Sequence, residues 1–295
     1  MRHLFKRSNK IVNLYKPLIV LALSLLLVAC GRDQANVLAV SQNAVQQPGR
    51  IQSPETPLAV ITPTPEQEVS LGEELKIVPV SIAKKNESRR YQIDVVYPQI
   101  EGSKNPGILR LNRRIKDLVA KQYQWLIQPT KEDRRHYEKW PGVFNSVDLH
   151  YEVVLATDHL LSIYFEEYSY GIGAAHSVQQ SFTVNFDLSS AKPVQLAALF
   201  RPNAKHLQFI SDYCIRELSR DDQYAMADPL LKEELAPKLK NYESWNITKK
   251  GIRFNFDACK IDGCAAGKKE VEIEFSALKE KLNPNSAVSS LVQSA

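Results

Sequence analysis

The stretch YSYGIGAAHS, Tyr168 to Ser177, sets two glycines and a histidine together in a chain with only 11 glycines in 295 residues. His176 has Ser177 beside it and Glu166, Glu167 and Asp187 near enough in sequence to lie on adjoining strands. These are the residue types of acyl-transfer chemistry, which needs nucleophile, base and orienting carboxylate in mutual hydrogen-bond contact. Adjacent strand residues point to opposite faces, however, which separates His176 from Ser177. The expectation is a turn permitted by Gly171 and Gly173, with His176 ordering that turn or touching a ligand.

Ready-made catalytic signatures are missing. The sequence has no G-x-S-x-G elbow, no H-E-x-x-H, no P-loop and no G-x-G-x-x-G between a strand and a helix, so GIGAAH is not a dinucleotide loop. Two S-x-x-K matches occur, Ser81 to Lys84 and Ser189 to Lys192. About one such match arises by chance in a chain this long, and no S-D-N or K-T-G partner accompanies them. CKIDGC, Cys259 to Cys264, lacks a second ligand pair at zinc spacing. No metal and no cofactor are expected.

Three alternating runs carry the remaining polar chemistry: Val147 to Leu155, Leu161 to Ser169 and Ser177 to Leu188. One face is apolar: Val147, Leu149, Tyr151, Val153 and Leu155, then Leu161, Ile163 and Phe165, then Phe182, Val184 and Phe186. The other face holds Asp148, His150 and Glu152, then Tyr164, Glu166 and Tyr168, then Gln179, Ser181, Thr183 and Asn185. An antiparallel meander with one core face fits this pattern. Its second face would suit a sugar or a polar protein surface, or would simply meet water.

Around the meander, YQIDVVYPQI (Tyr91 to Ile100) reads as a strand ending at a turn near Pro98. Pro106 to Gln128 puts Ile108, Leu111, Ile115, Leu118, Val119, Gln122 and Leu126 on one stripe of an amphipathic helix. Asn203 to Arg220 and Pro229 to Lys240 read as helices, Ser244 to Phe256 as a hairpin, and Val271 to Phe275 as a last strand. Strands and helices come in blocks, so the fold class expected is α+β, an antiparallel meander packed by amphipathic helices.

The N-terminus states a destination. Arg2, Lys6, Arg7, Lys10 and Lys16 precede an apolar run of 12 residues, Leu18 to Ala29, that stops at Cys30. That run is too short for the roughly 20 residues of a spanning helix and has the layout of an export signal. LVAC, Leu27 to Cys30, matches the lipobox of bacterial lipoproteins, in which the cysteine is acylated and becomes the new N-terminus. Loss of the five basic residues from 38 leaves 33 Lys plus Arg against 33 Asp plus Glu. That even balance argues against nucleic acid, and equally against an anionic membrane surface, as partner. The expected organisation is a signal peptide at 1–29, a lipidated Cys30 and disordered tether at 30–74, a folded domain at 75–282, and a disordered tail at 283–295. Export makes a disulfide permissible, and the short CKIDGC loop can bring two Cβ atoms within bonding range.

Several segments together resemble the extracytoplasmic domain of unknown function found in the lysozyme-sensing anti-sigma factor RsiV and beside the deacetylase module of PdaC-type peptidoglycan enzymes. The matching residues are Tyr97 and Pro98, Leu111, Asn112 and Ile115, then Tyr168 and Tyr170 with Gly173, Ala175 and His176. They continue with Asn185, Asp187, Leu188, Lys192, Leu196, Leu199 and Phe200, then Phe254, Phe256, Ala265, Ala266 and Gly267. The turn glycine of the pattern is Ala191 here, and two of its tyrosines are Cys259 and Cys264, a joint replacement that favours their pairing. The lipobox and the resemblance together lead to the expectation of a lipid-anchored envelope module that is not an enzyme. It would bind a lysozyme-like protein or a peptidoglycan-type ligand through Tyr164, Glu166, Tyr168, Tyr170 and His176. The competing expectation is a cell-wall hydrolase or esterase that uses His176 with a sheet carboxylate.

Overall fold

A computed structural model describes residues 69–70, 75–128, 135, 137–220, 229–261 and 263–294. The expected signal peptide, Cys30 and nearly all of the expected tether lie outside the described residues. Among the described residues ten strands form two sheets. The larger has seven strands in sequence order: β1 (Val69–Ser70), β2 (Lys76–Asn86), β3 (Tyr91–Glu101), β4 (Asn145–Ala156), β5 (Leu160–Tyr170), β6 (Val178–Asp187) and β7 (Lys192–Pro193). The smaller has the order β10-β9-β8, built from β8 (Trp245–Ile247), β9 (Gly251–Phe256) and β10 (Lys269–Glu274). The α+β class is as expected, but the closing hairpin and last strand form a sheet of their own.

Helix α1 (Pro106–Ile127) links β3 to β4, the one parallel pair in the larger sheet. Asn105 starts it by accepting a hydrogen bond from the Gly107 N–H at 2.8 Å, and Pro106 occupies the first turn, where its missing N–H costs nothing. Ile108, Leu111, Ile115, Val119 and Leu126 are buried at helical spacing and pack with Val147, Leu149, Leu161, Ile163 and Phe165 into one core. Asn112 clamps helix to strand: its Nδ2 donates to Ile100 O at 2.8 Å while its Oδ1 accepts from Ile100 N at 2.9 Å. Strand β3 runs on through Pro98 instead of turning there. The parallel ladder ends at Val95 opposite Leu149, so Pro98 lies beyond it, where a proline is tolerated.

A second core fills the space between the small sheet and helix α2 (His206–Leu218), with Ile210, Cys214, Phe254, Phe256, Ile273 and Phe275 all buried. Cys214 is a free, buried thiol, and burial raises its pKa. Leu155 belongs to this second core and not to the first. A register shift between Val153 and Leu155 turns the end of β4 over, because a bulge moves the following side chains to the opposite face. The segment expected as a disordered tail folds back: Asn283 N–H donates to Leu199 O at 2.8 Å, and Val288 is fully buried in the second core.

The two sheets meet through a buried polar joint. Ser162 Oγ donates to Asn185 Oδ1 at 2.7 Å, Asn185 Nδ2 donates to Trp245 O at 2.7 Å, and Asn246 Nδ2 donates to Ser162 Oγ at 2.9 Å. Asn255 Nδ2 extends the chain to Asn246 Oδ1 at 3.0 Å. Buried polar side chains persist only when paired in this way. Among the described residues no helix is long and apolar enough to cross a membrane.

Candidate functional site

Glu166 lies on β5 opposite His150 of β4 and Ser181 of β6. Alternate residues share a face, so Tyr164, Glu166 and Tyr168 line up on the side of the sheet opposite α1. Glu152, His150 and Asp148 flank them on one side, and Thr183, Ser181 and Gln179 on the other. This is the polar face the alternation predicts. Part of it is not free: Asn185 is consumed by the inter-sheet joint, and the Thr183 hydroxyl accepts from Trp245 N at 3.3 Å.

The small sheet completes the site with cations and a carboxyl that lie far away in sequence. Lys268 Nζ stands 3.6 Å from Glu166 Oε1, and Gln179 Nε2 donates to the same oxygen at 3.0 Å. His150 lies between two carboxylates, with Nδ1 3.0 Å from Asp148 and Nε2 3.9 Å from Glu166 Oε2. Arg253 joins Glu152 at 3.3 Å to Glu270 at 3.8 Å. Ser181 Oγ donates to Asp257 Oδ1 at 2.5 Å. Burial raises the Asp257 carboxyl above its ordinary value, the hydrogen bonds from Ser181 oppose that, and the Glu166 charge adds to it.

The expected ligand residues fall into three groups. Tyr164 is buried, at 3% exposure, with Lys268 Nζ 4.7 Å and the Arg253 guanidinium 5.6 Å from its ring centre. Burial followed by the Glu166 charge pushes the pKa of its hydroxyl up, and the neighbouring Ser181 hydroxyl opposes this. Glu166 and Tyr168 are reachable, Tyr168 at 38% exposure with its ring centre 6.0 Å from that of His150. Tyr170 ends β5 and His176 lies in the turn that follows. Tyr170 OH donates to Ala174 O at 3.3 Å, and His176 Nδ1 lies 2.9 Å from Ser177 O.

Among the described residues no ion pair joins His176 to a carboxylate; the histidine that meets sheet carboxylates is His150. Of the two turn glycines, only Gly173 adopts a positive φ, 91°, which explains it by backbone freedom. The disulfide is present: Cys259 and Cys264 are bonded, with Cα atoms 4.1 Å apart. It closes the loop between Asp257 and Lys268, and Ala258 N–H donates to Gln179 Oε1 at 2.8 Å, so both sides of this loop touch the Glu166 cluster. Lys268, Arg253 and Asp257 escape a reading by strand periodicity because only tertiary packing brings them to β5. Among the described residues no group of three or more His, Cys, Asp or Glu side chains is placed to hold a metal ion.

In such a cluster the carboxylate can accept a proton from water, the lysine can steady a developing oxyanion, and the exposed tyrosine ring can stack on a sugar. The chain that carries it is an α+β domain built from two matched segments. Residues 84–179 match the family described as Deacetylase PdaC, and residues 197–276 match a protein family of unknown function, DUF3298. The site straddles them, with Glu166 and His150 in the first segment and Asp257 and Lys268 in the second.

The chain is 28% identical over 198 residues to the peptidoglycan-N-acetylmuramic acid deacetylase PdaC of Bacillus subtilis, which covers 67% of this chain and 40% of that protein. A solved DUF3298 family structure from Bacteroides fragilis aligns at a TM-score of 0.49 and 16% identity, over 75% of this chain and 98% of that one. One from Pseudomonas aeruginosa aligns at 0.49 and 14%, over 72% and 94%. The name of the Bacillus relative overturns the expectation that the chain is not an enzyme, since that relative is named as a deacetylase.

Proposed function

We propose that this chain acts on peptidoglycan, hydrolysing the N-acetyl amide of its amino sugars at the Glu166 cluster. The observation that supports this reading is the similarity over 198 residues to a peptidoglycan deacetylase, together with the convergence of catalytic residue types inside the matched segments. In this reading Tyr168 lies under the sugar ring and Glu166 takes a proton from the attacking water. Lys268 stabilises the oxyanion, and His150 protonates the departing amine. The expected hydrolysis through His176 gives way to one through His150, because His176 is engaged with its own turn. Export and attachment through acylated Cys30 would bring the domain to this substrate.

The test is acetate release from purified peptidoglycan by the full chain. Expected are release by the parent and a loss of at least roughly a hundredfold in Glu166→Gln, the scale of a removed acid–base group. Retention on peptidoglycan with no acetate released by the parent would overturn the catalytic assignment. Catalysis would then belong with the part of the relative that this chain does not span. Membrane release of a Cys30→Ala chain tests the anchor separately.

A further inference from the structure

On the opposite side of the larger sheet, the outer face of α1 is strongly cationic. The helix holds Arg110, Arg113, Arg114, Lys116 and Lys121 against a single acid, Asp117. Arg110, Arg114 and Lys121 recur at i, i+4 and i+11 in one row along the helix, in which Asp117 at i+7 is the single acid. All three are exposed, as is Arg113. Among the described residues none of the four forms an ion pair with a carboxylate, Asp117 included. Lys268, Arg253, Arg220 and Lys85 each have an acidic partner, whereas other exposed lysines such as Lys249, Lys250 and Lys279 are scattered and not gathered on one helix.

Two further features point to what this row meets. It rims a groove of about 560 Å³ whose floor is apolar, with Phe186 and Pro193 across from the helix. Trp125 continues the row one turn beyond Lys121 and is 41% exposed, and Leu109 is 49% exposed on the same helix. A free polyanion would need the cations alone. Cations combined with an exposed indole and an apolar groove are the composition that settles at the headgroup level of a bilayer, with charge against phosphate and ring against the glycerol region.

We propose that the outer face of α1 docks the domain onto an anionic phospholipid surface. The even charge balance of the chain beyond residue 29 hides this surface, because a neutral total says nothing about segregation. Docking through α1 would turn the Glu166 face away from the bilayer, since the two lie on opposite sides of one sheet. The inference does not depend on the activity of that face.

Both cores lie between Ile77 and Val288, so residues 60–295 carry the whole hydrophobic core and are the unit used in the test. This unit is floated with vesicles of phosphatidylcholine containing phosphatidylglycerol, and with vesicles of phosphatidylcholine alone. Expected is co-flotation with the anionic vesicles in about 0.1 M salt, release in about 0.5 M salt, and none with the neutral vesicles. Arg110→Gln, Arg114→Gln and Lys121→Gln together should weaken partition roughly a hundredfold, about fivefold for each charge. Lys249→Gln, Lys250→Gln and Lys279→Gln remove the same charge from exposed positions elsewhere and should leave partition within about threefold of the parent. Equal losses in the two triple variants, no flotation of the parent, or full displacement by soluble polyphosphate at matched phosphate would each overturn the proposal. Matching melting curves of the two variants guard against misfolding.

Discussion

Single residues carry some of the clearest consequences. Ala191 has φ 53°, in the left-handed region that a side chain resists, at the position where the resembling family places glycine. Ala191→Gly should therefore raise stability by about 1 kcal/mol, read as a higher urea midpoint with an unchanged slope. Glu167 sits on the core face of β5 at 4% exposure, and burial raises its carboxyl above 4.5 while a hydrogen bond from Ser169 partly opposes this. The folded state thus keeps the proton at a pH where the unfolded chain has released it. Stability falls as pH rises from the ordinary carboxylate range through that raised value. Glu167→Gln removes the effect, so its melting temperature should exceed that of the parent at pH 8, and the gap should close below pH 4. At this scale the sequence located Glu166 and Tyr168 on the right face, because alternation encodes side. It could not show that Tyr164 is covered, since Lys268 and Arg253 come to it from another sheet.

Among the elements, α1 was the most legible, because five buried apolar residues at helical spacing survive any choice of neighbours. Strand β2 went unread: only Ile77 of its 11 residues is fully buried, so its alternation is shallow, and Pro79 interrupts it. The end of β4 was assigned to the wrong core for a different reason. Val153, Val154 and Leu155 are all apolar, and a bulge within such a run leaves no mark in the hydrophobic pattern. The Leu-Asn pair in α1 acquires a physical meaning from the Asn112 clamp on Ile100. Asn112→Ala removes both hydrogen bonds at once and should cost about 2 kcal/mol, measured by urea unfolding, while Asn112→Asp should restore only the bond from Ile100 N. In β9, a Cβ on Gly251 would stand 2.2 Å from Ile273 O, a backbone atom that cannot step aside. Gly251→Ala should cost on the order of 1–3 kcal/mol by forcing β9 and β10 apart.

For the whole molecule, the division into two cores was hidden because Ser162 and Asn185 look like surface residues until a second sheet covers them. Asn185→Ala should destabilise by about 2–3 kcal/mol, since it strands Trp245 O and leaves the Ser162 hydroxyl without its acceptor in a buried joint. The Cys259–Cys264 bond closes a short loop, and its removal as Cys259→Ser with Cys264→Ser should cost about 2 kcal/mol. The parallel pairing of β3 with β4 reaches beyond these energies. Every other ladder of the larger sheet joins antiparallel neighbours, and β2–β3 and β4–β5–β6 can each zip up from a nearby turn. Tyr91 meets Asn145 only after the chain has travelled out along β3 and back through α1. Closing that excursion is slow compared with forming a hairpin. The β3–β4 ladder is therefore the pairing of this sheet expected to form last in folding, although Ile93, Val95, Val147 and Leu149 make it one of the most deeply buried once formed.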